Sequence, residues 1–220
     1  MVFILGYIAV AVEAYLLGSI PTGFLVAKAR GVDIRAVGSG NIGAANTFRA
    51  IGKTAGILVL LIDALKGFAA VWAANFVLKF FGVPESQMEP YRVVAGAFAV
   101  IGHNYTCWLH FKGGKGIATS GGAYLALAPL SVLYALIAFV VGFGVTRITS
   151  VGSILAAITL PTAVYFTKDD WTLRIVTITL GVLALFRHRS NIKRLIAGKE
   201  NRVEFKKRAP EPVKSDSVPL

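Results

Sequence analysis

Arg49, Lys112, Lys115, His188 and Asn191 are the residues whose types and neighbours suit chemistry on a phosphate. They stand in three short polar segments of an otherwise apolar chain: Gly38-Ser-Gly-Asn-Ile-Gly-Ala-Ala-Asn46 with Arg49, Lys112-Gly-Gly-Lys-Gly116, and Arg187-His-Arg-Ser-Asn191. Glycines let backbone approach a ligand closely. Lysine and arginine supply charge for phosphate. Histidine ordinarily titrates near neutrality, so His188 is the default proton acceptor. On a helix, His188 and Asn191 would share a face.

Familiar nucleotide signatures do not fit these segments. Gly38, Gly40 and Gly43 match G-x-G-x-x-G, but the acid about twenty positions on, Asp63, lies in an apolar block, so no βαβ unit follows. Ser39 instead reads as an N-cap for a segment winding into the next helix, whose free N–H groups would attract phosphate. Lys112–Gly116 is not a Walker A loop, because Gly116 follows Lys115 where Ser or Thr is required. Its consecutive glycines suit a backbone nest for an anion. Thr119 and Ser120 offer hydroxyls beside it, and Arg147, Ser150 and Ser153 flank a further turn that could complete an anion site. The single cysteine, Cys107, rules out a disulfide framework and a cysteine metal site. Carboxylates near these segments are scarce, so no metal and no cofactor is expected.

These residues must be held by apolar elements. The chain is 55% hydrophobic, with a mean hydropathy of +0.68. Its apolar residues come in blocks long enough to cross a bilayer, at 2–26, 54–81, 93–111, 152–167 and 171–186. The first block is expected to remain as a span, since it has no basic leader. Block 117–146 is one long helix or two short ones broken near Ala128-Pro129. Charge bias decides. Lys28, Arg30, Arg35, Arg49 and Lys53 crowd the first loop, and Glu85 and Glu89 mark the second. Two short helices put Lys112, Lys115, Arg147, Arg187 and Arg189 on the same side as the first loop. The expected fold is therefore an all-α integral membrane protein of seven transmembrane helices, with the N-terminus extracytoplasmic and the C-terminus cytoplasmic. Its fourth helix would have about thirteen residues, short for a full crossing.

Residues 1–198 read as a single transmembrane domain, and 199–220 as a basic, disordered cytoplasmic tail. Topology bias and this tail account for most of the net charge of +12, without nucleic acid; the tail's cations favour anionic membrane lipid. Inside the apolar blocks, Asp63 and Lys66 are expected to pair. His103, read as mid-span, is expected to be a hydrogen-bonded packing residue. Glu13 has no assigned partner. A transporter would need polar residues along a continuous path. Here they gather at one interface, which favours chemistry at the membrane surface.

The three segments, with Gly102-His-Asn-Tyr105 ahead of the second and Ile192-Lys-Arg194 after the third, resemble the signature motifs of the bacterial acyl-phosphate:glycerol-3-phosphate acyltransferase family, often called PlsY. Gly18-Ser-Ile-Pro-Thr-Gly23 and Asp63-Ala-Leu-Lys-Gly67 extend the resemblance, which covers about residues 5–196. Ala45 departs from the family's usual threonine. No acid stands at the fifth position after His103, His110 or His188, which sets the chain apart from H-x-x-x-x-D acyltransferases.

The resemblance implies an enzyme of phospholipid biosynthesis in the cell inner membrane, with its active site on the cytoplasmic face. It would transfer a fatty acyl group from acyl-phosphate to the 1-hydroxyl of sn-glycerol 3-phosphate, giving lysophosphatidic acid and phosphate. Ser39, Asn41, Asn46, Arg49, His188 and Asn191 would bind glycerol 3-phosphate. Lys112, Gly113, Gly114, Lys115, Gly116, Thr119 and Ser150 would bind acyl-phosphate. His188, Asn191 and Lys112 would be catalytic. His188 would act as general base or as a positioner.

Overall fold

In lipid every backbone polar group must find a partner inside its own segment, so apolar blocks of this length wind into helices. The computed structural model describes residues 2–203, and those residues hold ten α-helices, two 3₁₀ turns and no strand. The α-helices are α1 (Val2–Ser19), α2 (Thr22–Lys28), α3 (Ala44–Ala50), α4 (Lys53–Phe80), α5 (Glu89–Asn104), α6 (Ile117–Leu127), α7 (Pro129–Thr146), α8 (Thr149–Thr167), α9 (Trp171–Arg187) and α10 (Arg189–Ile196). Four stretches are long and apolar enough to cross a membrane: Phe3–Lys28, α4, α7 and α8. A fifth joins them if α9 and α10, bent by 55°, count as one. The protein is an integral membrane protein, all-helical among the described residues. Residues 204–220, most of the expected basic tail, lie outside the described residues.

Block 117–146 is two helices. Ala128, at φ −149° and ψ 68°, leaves helical space, and Pro129 opens α7 at its first turn. Proline is tolerated there because the N–H it lacks would have had no helical partner. α6 is left with 11 residues.

Two expected spans end differently. Block 93–111 stops being helical at Asn104, so His103 lies in the last turn of α5 and not at mid-span. The chain folds back after it: Gly113 N–H donates to the Asn104 carbonyl at 3.1 Å and Gly114 N–H to the His103 carbonyl at 3.0 Å. These bonds satisfy carbonyls that a helix end would otherwise leave open. The first block is interrupted at Ile20 and Pro21. Thr106 Oγ1 donates to the Ser19 carbonyl at 2.6 Å, and Tyr15 Oη to the Tyr105 carbonyl at 2.8 Å, so the interruption is sewn to the end of α5.

Close helix contacts rest on missing side chains. A Cβ on Gly18 would lie 2.1 Å from the Ala99 carbonyl oxygen, and one on Gly102 would lie 2.3 Å from that of Tyr15. α1 and α5 therefore touch backbone to backbone, the small-residue packing favoured within lipid. Asp63 and Lys66 form the expected ion pair, at 2.8 Å and with both side chains buried. Lys66 Nζ also donates to the Ile20 carbonyl at the break, at 2.8 Å. Removing either partner alone would strand the other charge, at about 3–5 kcal/mol.

Candidate active site

The loop ends of α3, α5, α6, α8 and α9 meet at a cavity of about 350 Å³. Ser39, Asn41, Asn46 and Arg49 line it from the first polar segment, Lys115 and Gly116 from the second, and His188 and Asn191 from the third. Ser150 and Ser153 line it from α8, and Asp63 and His103 line it as well. Ile57, Leu60, Phe139 and Phe143 form an apolar side.

The first segment is folded by its own amides. Asn46 Nδ2 donates to the carbonyls of Ile34 (3.1 Å) and Val37 (2.9 Å), and Asn46 Oδ1 accepts from Ser39 N–H (2.9 Å). Asn41 Oδ1 accepts from Gly43 N–H at 2.9 Å. These two asparagines line the cavity but spend these groups shaping the loop. Ser39 is not an N-cap: α3 is a separate short helix preceded by Gly43, without a side-chain cap. Arg49, on α3, is half-buried, and its Nε is buried without a partner. A buried donor left open costs about 1–3 kcal/mol, so an acceptor placed at this atom would be favoured.

The second segment does not form the expected nest at its glycines. The N–H groups of Lys112, Gly113 and Gly114 are already bonded to the carbonyls of Leu109, Asn104 and His103. Their carbonyls matter instead: Arg187 donates to Gly113 O at 2.9 Å and to Gly114 O at 2.8 Å through Nη2, and to Gly114 O at 3.1 Å through Nε. This fork ties the second segment to the third. A Cβ on Gly114 would lie 2.0 Å from His103 Nε2, so glycine is required here by packing. Lys112 is exposed and lies outside the cavity, as do Gly113, Gly114 and Thr119; Thr119 is fully buried with an unpartnered hydroxyl. What faces the cavity is Lys115, with Gly116, Ile117 and Ala118 at the uncapped start of α6. A helix start of this kind attracts anions through its free N–H groups.

Lys115 Nζ donates to Asn191 Oδ1, and Asn191 Nδ2 donates to Glu200 Oε1 at 2.7 Å. Glu200 also accepts from Ser150 Oγ at 3.1 Å and from Arg194 Nε at 2.6 Å. Burial works to raise the Glu200 pKa, but these hydrogen bonds prevail and hold it below the usual carboxylate range. Lys115 is pushed down to about 8, chiefly by burial, with Arg194, Arg49 and Arg187 adding repulsion and Glu200 opposing them. Glu200 was not legible in the sequence, where it lies within a basic run. Val203 lines the cavity, and its N–H donates to the Arg147 carbonyl at 2.8 Å.

His188 caps α9 and is 3% exposed. Its Nδ1 lies 2.8 Å from the Ala184 carbonyl, which can only accept, so Nδ1 carries the proton and Nε2 is a free acceptor. Burial pushes the imidazole down to about 4, which keeps it neutral at physiological pH. His103 also reaches the cavity, with Nδ1 3.7 Å from Asp63 Oδ1.

The arrangement offers two or more cations, an uncapped helix start and a neutral hydrogen-bond acceptor beside an apolar wall. That suits a phosphorylated small molecule and a lipid-like second substrate. The family model for glycerol-3-phosphate acyltransferase matches residues 8–198. Among curated relatives, the glycerol-3-phosphate acyltransferase of Endomicrobium trichonymphae is 47% identical over 196 residues, 88% of this chain and 94% of that protein. That of Geobacter metallireducens is 49% identical over 189 residues, 86% and 93%. The crystal structure of PlsY, an integral membrane glycerol 3-phosphate acyltransferase, in its glycerol 3-phosphate form superposes with a TM-score of 0.81 at 38% identity, covering 90% of this chain and 96% of that one. Its lysophosphatidic acid form gives 0.79 at 37%, covering 90% and 95%. This chain belongs to the glycerol-3-phosphate acyltransferase family.

Proposed function

We propose that this chain transfers a fatty acyl group from acyl-phosphate to the 1-hydroxyl of sn-glycerol 3-phosphate. The products are lysophosphatidic acid and inorganic phosphate, and the reaction is the first step of phospholipid synthesis. The observation that carries the reading at the level of this site is one cavity shared by an unpaired Arg49 Nε, Lys115, a neutral His188 and an apolar wall.

An acyl-phosphate is a mixed anhydride and already activated, so the protein's task is to position two phosphates and one hydroxyl and to stabilise the carbonyl oxyanion. Arg49 and Ser39 hold the phosphate of glycerol 3-phosphate. Lys115, fixed by Asn191, and the start of α6 hold the acyl-phosphate. Ser150, through Glu200, keeps Asn191 in place. His188 Nε2 accepts the hydrogen bond of the 1-hydroxyl and aims its oxygen at the carbonyl. The new ester C–O bond forms as the anhydride C–O bond breaks, and the hydroxyl proton leaves its hydrogen bond to His188 and goes to the departing phosphate. Exposed Lys112 attracts anions to the entrance. This route uses no cofactor, no metal and no enzyme nucleophile.

Seven spans with the N-terminus outside and the C-terminus inside put this site on the cytoplasmic face of the inner membrane, where both substrates are soluble or lipid-borne. Positive charge in the first, third and fifth loops supports that orientation. Residues 1–198 form the single transmembrane domain in this reading; of the basic tail that follows, Glu200 and Val203 pack back onto the domain at the cavity. The test is to supply the purified protein with palmitoyl-phosphate and glycerol 3-phosphate. Lysophosphatidic acid and phosphate should appear in equal amounts; palmitate release without lysophosphatidic acid would refute the reading.

A further inference from the structure

An apolar groove of about 260 Å³ lies between α4, α6, α7, α8 and α9. Leu60, Ile117, Ala118 and Phe139 line both this groove and the polar cavity, so the two adjoin. Two of the three hydroxyls on its wall are spent, since Tyr124 Oη donates to Thr177 Oγ1 at 2.7 Å and Thr177 Oγ1 donates to the Leu173 carbonyl; the third belongs to Ser120. Apart from Ser120 the surface presented there is hydrocarbon, suited to a linear alkyl chain.

Gly121 lines the groove from the second turn of α6, about 6 Å along the helix from its first residue. Glycine is among the poorest residues for a helix interior, so its presence needs a reason. For its neighbour the reason is packing: a Cβ on Gly122 would lie 1.7 Å from the Ala64 carbonyl oxygen. A Cβ on Gly121 would meet nothing within 4 Å, and its backbone is helical with no positive φ. Neither contact nor conformation excludes a side chain at this position. What a side chain would remove is the open space of the groove.

We infer that Gly121 is a specificity-determining residue for the acyl donor: its missing side chain leaves open the path by which the fatty chain passes from the polar cavity into the groove. The inference rests on the acyl-phosphate reading of the same site. It adds that donor recognition has two separable parts, the phosphate at Lys115 and the alkyl chain past Gly121.

The experiment uses the full-length protein in detergent, with Gly121→Ala, Gly121→Val and Gly121→Leu. The KM for palmitoyl-phosphate should rise with side-chain size, by roughly tenfold or more in the leucine variant. The KM for glycerol 3-phosphate should stay within about twofold. The melting temperature of Gly121→Ala should equal or exceed that of the parent. In any variant too slow to assay, hexadecyl phosphate should no longer raise the melting temperature, while glycerol 3-phosphate still does. An unchanged palmitoyl-phosphate KM in all three variants, or equal losses for both substrates, would overturn the inference. A parent protein that makes no lysophosphatidic acid would count against the proposed function instead, and the hexadecyl phosphate comparison would still decide the role of Gly121.

Discussion

Lys115 donates to the side-chain oxygen of Asn191, joining the second polar segment to the third across the floor of the cavity. The bond fixes the ammonium and the amide together. Because the Asn191 nitrogen is committed to Glu200, the amide has one orientation, and Lys115 is held at the cavity. Lys112, three residues earlier, is exposed and makes no part of this network.

That difference makes the cations separable. Charge-assisted contacts contribute about 1.5–3 kcal/mol each. Arg49→Ala and Lys115→Ala should each lower kcat/KM by at least about tenfold. Lys112→Ala should cost about threefold or less, because it acts by long-range attraction, which salt screens. Arg49→Lys should recover only part of the loss, since lysine lacks the planar fork. Steady-state kinetics of the four variants decide this; a larger loss at Lys112 than at Lys115 would contradict the placement.

The pH dependence follows from burial of Lys115. With its pKa near 8, the ammonium is charged below that pH and neutral above it. Anion binding should therefore weaken as pH rises through about 8, seen as a falling kcat/KM. Lys115→Arg should move this limb to higher pH, because guanidinium stays charged. Glu200→Gln should move it lower, because the Glu200 carboxylate helps keep Lys115 protonated. A limb that is unmoved in both variants would assign it to some other group.

His188 is held neutral, as an acceptor of hydrogen bonds. Its pKa near 4 makes it a weak base at physiological pH and places its protonation below the working range. His188→Gln should keep kcat within about tenfold of the parent, since a glutamine oxygen can also accept, while the KM for glycerol 3-phosphate rises. A general base would instead cost roughly 10²–10⁴ in kcat. Any acidic limb near pH 6 should persist in His188→Gln, because it belongs to substrate phosphate.

Much of this site could be read from residue types. Arg49, His188 and Asn191 stood out as a cation, a titratable ring and an amide in polar runs, and all line the cavity. The break at Ala128 was readable because charge parity required a turn and Pro129 supplied one. Other features depend on contacts far apart in the chain. Hydropathy runs on past Asn104, yet α5 ends there, because Thr106 bonds back to Ser19 and the loop folds onto the helix end. The choice between Lys112 and Lys115 turns on that same fold-back, in which His110 and Phe111 take positive φ. Glu200 lies among lysines and arginines, and its meaning comes from Ser150, fifty residues away.

Topology is open to chemical labelling. With Cys107 replaced, a cysteine at the exposed Ser86 should react with an impermeant reagent from outside intact cells. A cysteine at exposed Ser190 should react only after the membrane is opened. Labelling of position 190 from outside would contradict the seven-span orientation.

The most direct test of acyl transfer from a mixed anhydride compares donors. Purified protein receives glycerol 3-phosphate with palmitoyl-phosphate, palmitoyl-CoA or palmitoyl-acyl carrier protein, the last two freed of acyl-phosphate, and lysophosphatidic acid is quantified. The cavity offers cations at Arg49 and Lys115 and an apolar wall beside them. Turnover with palmitoyl-phosphate alone is the predicted result. Comparable lysophosphatidic acid from palmitoyl-CoA or palmitoyl-acyl carrier protein would contradict it.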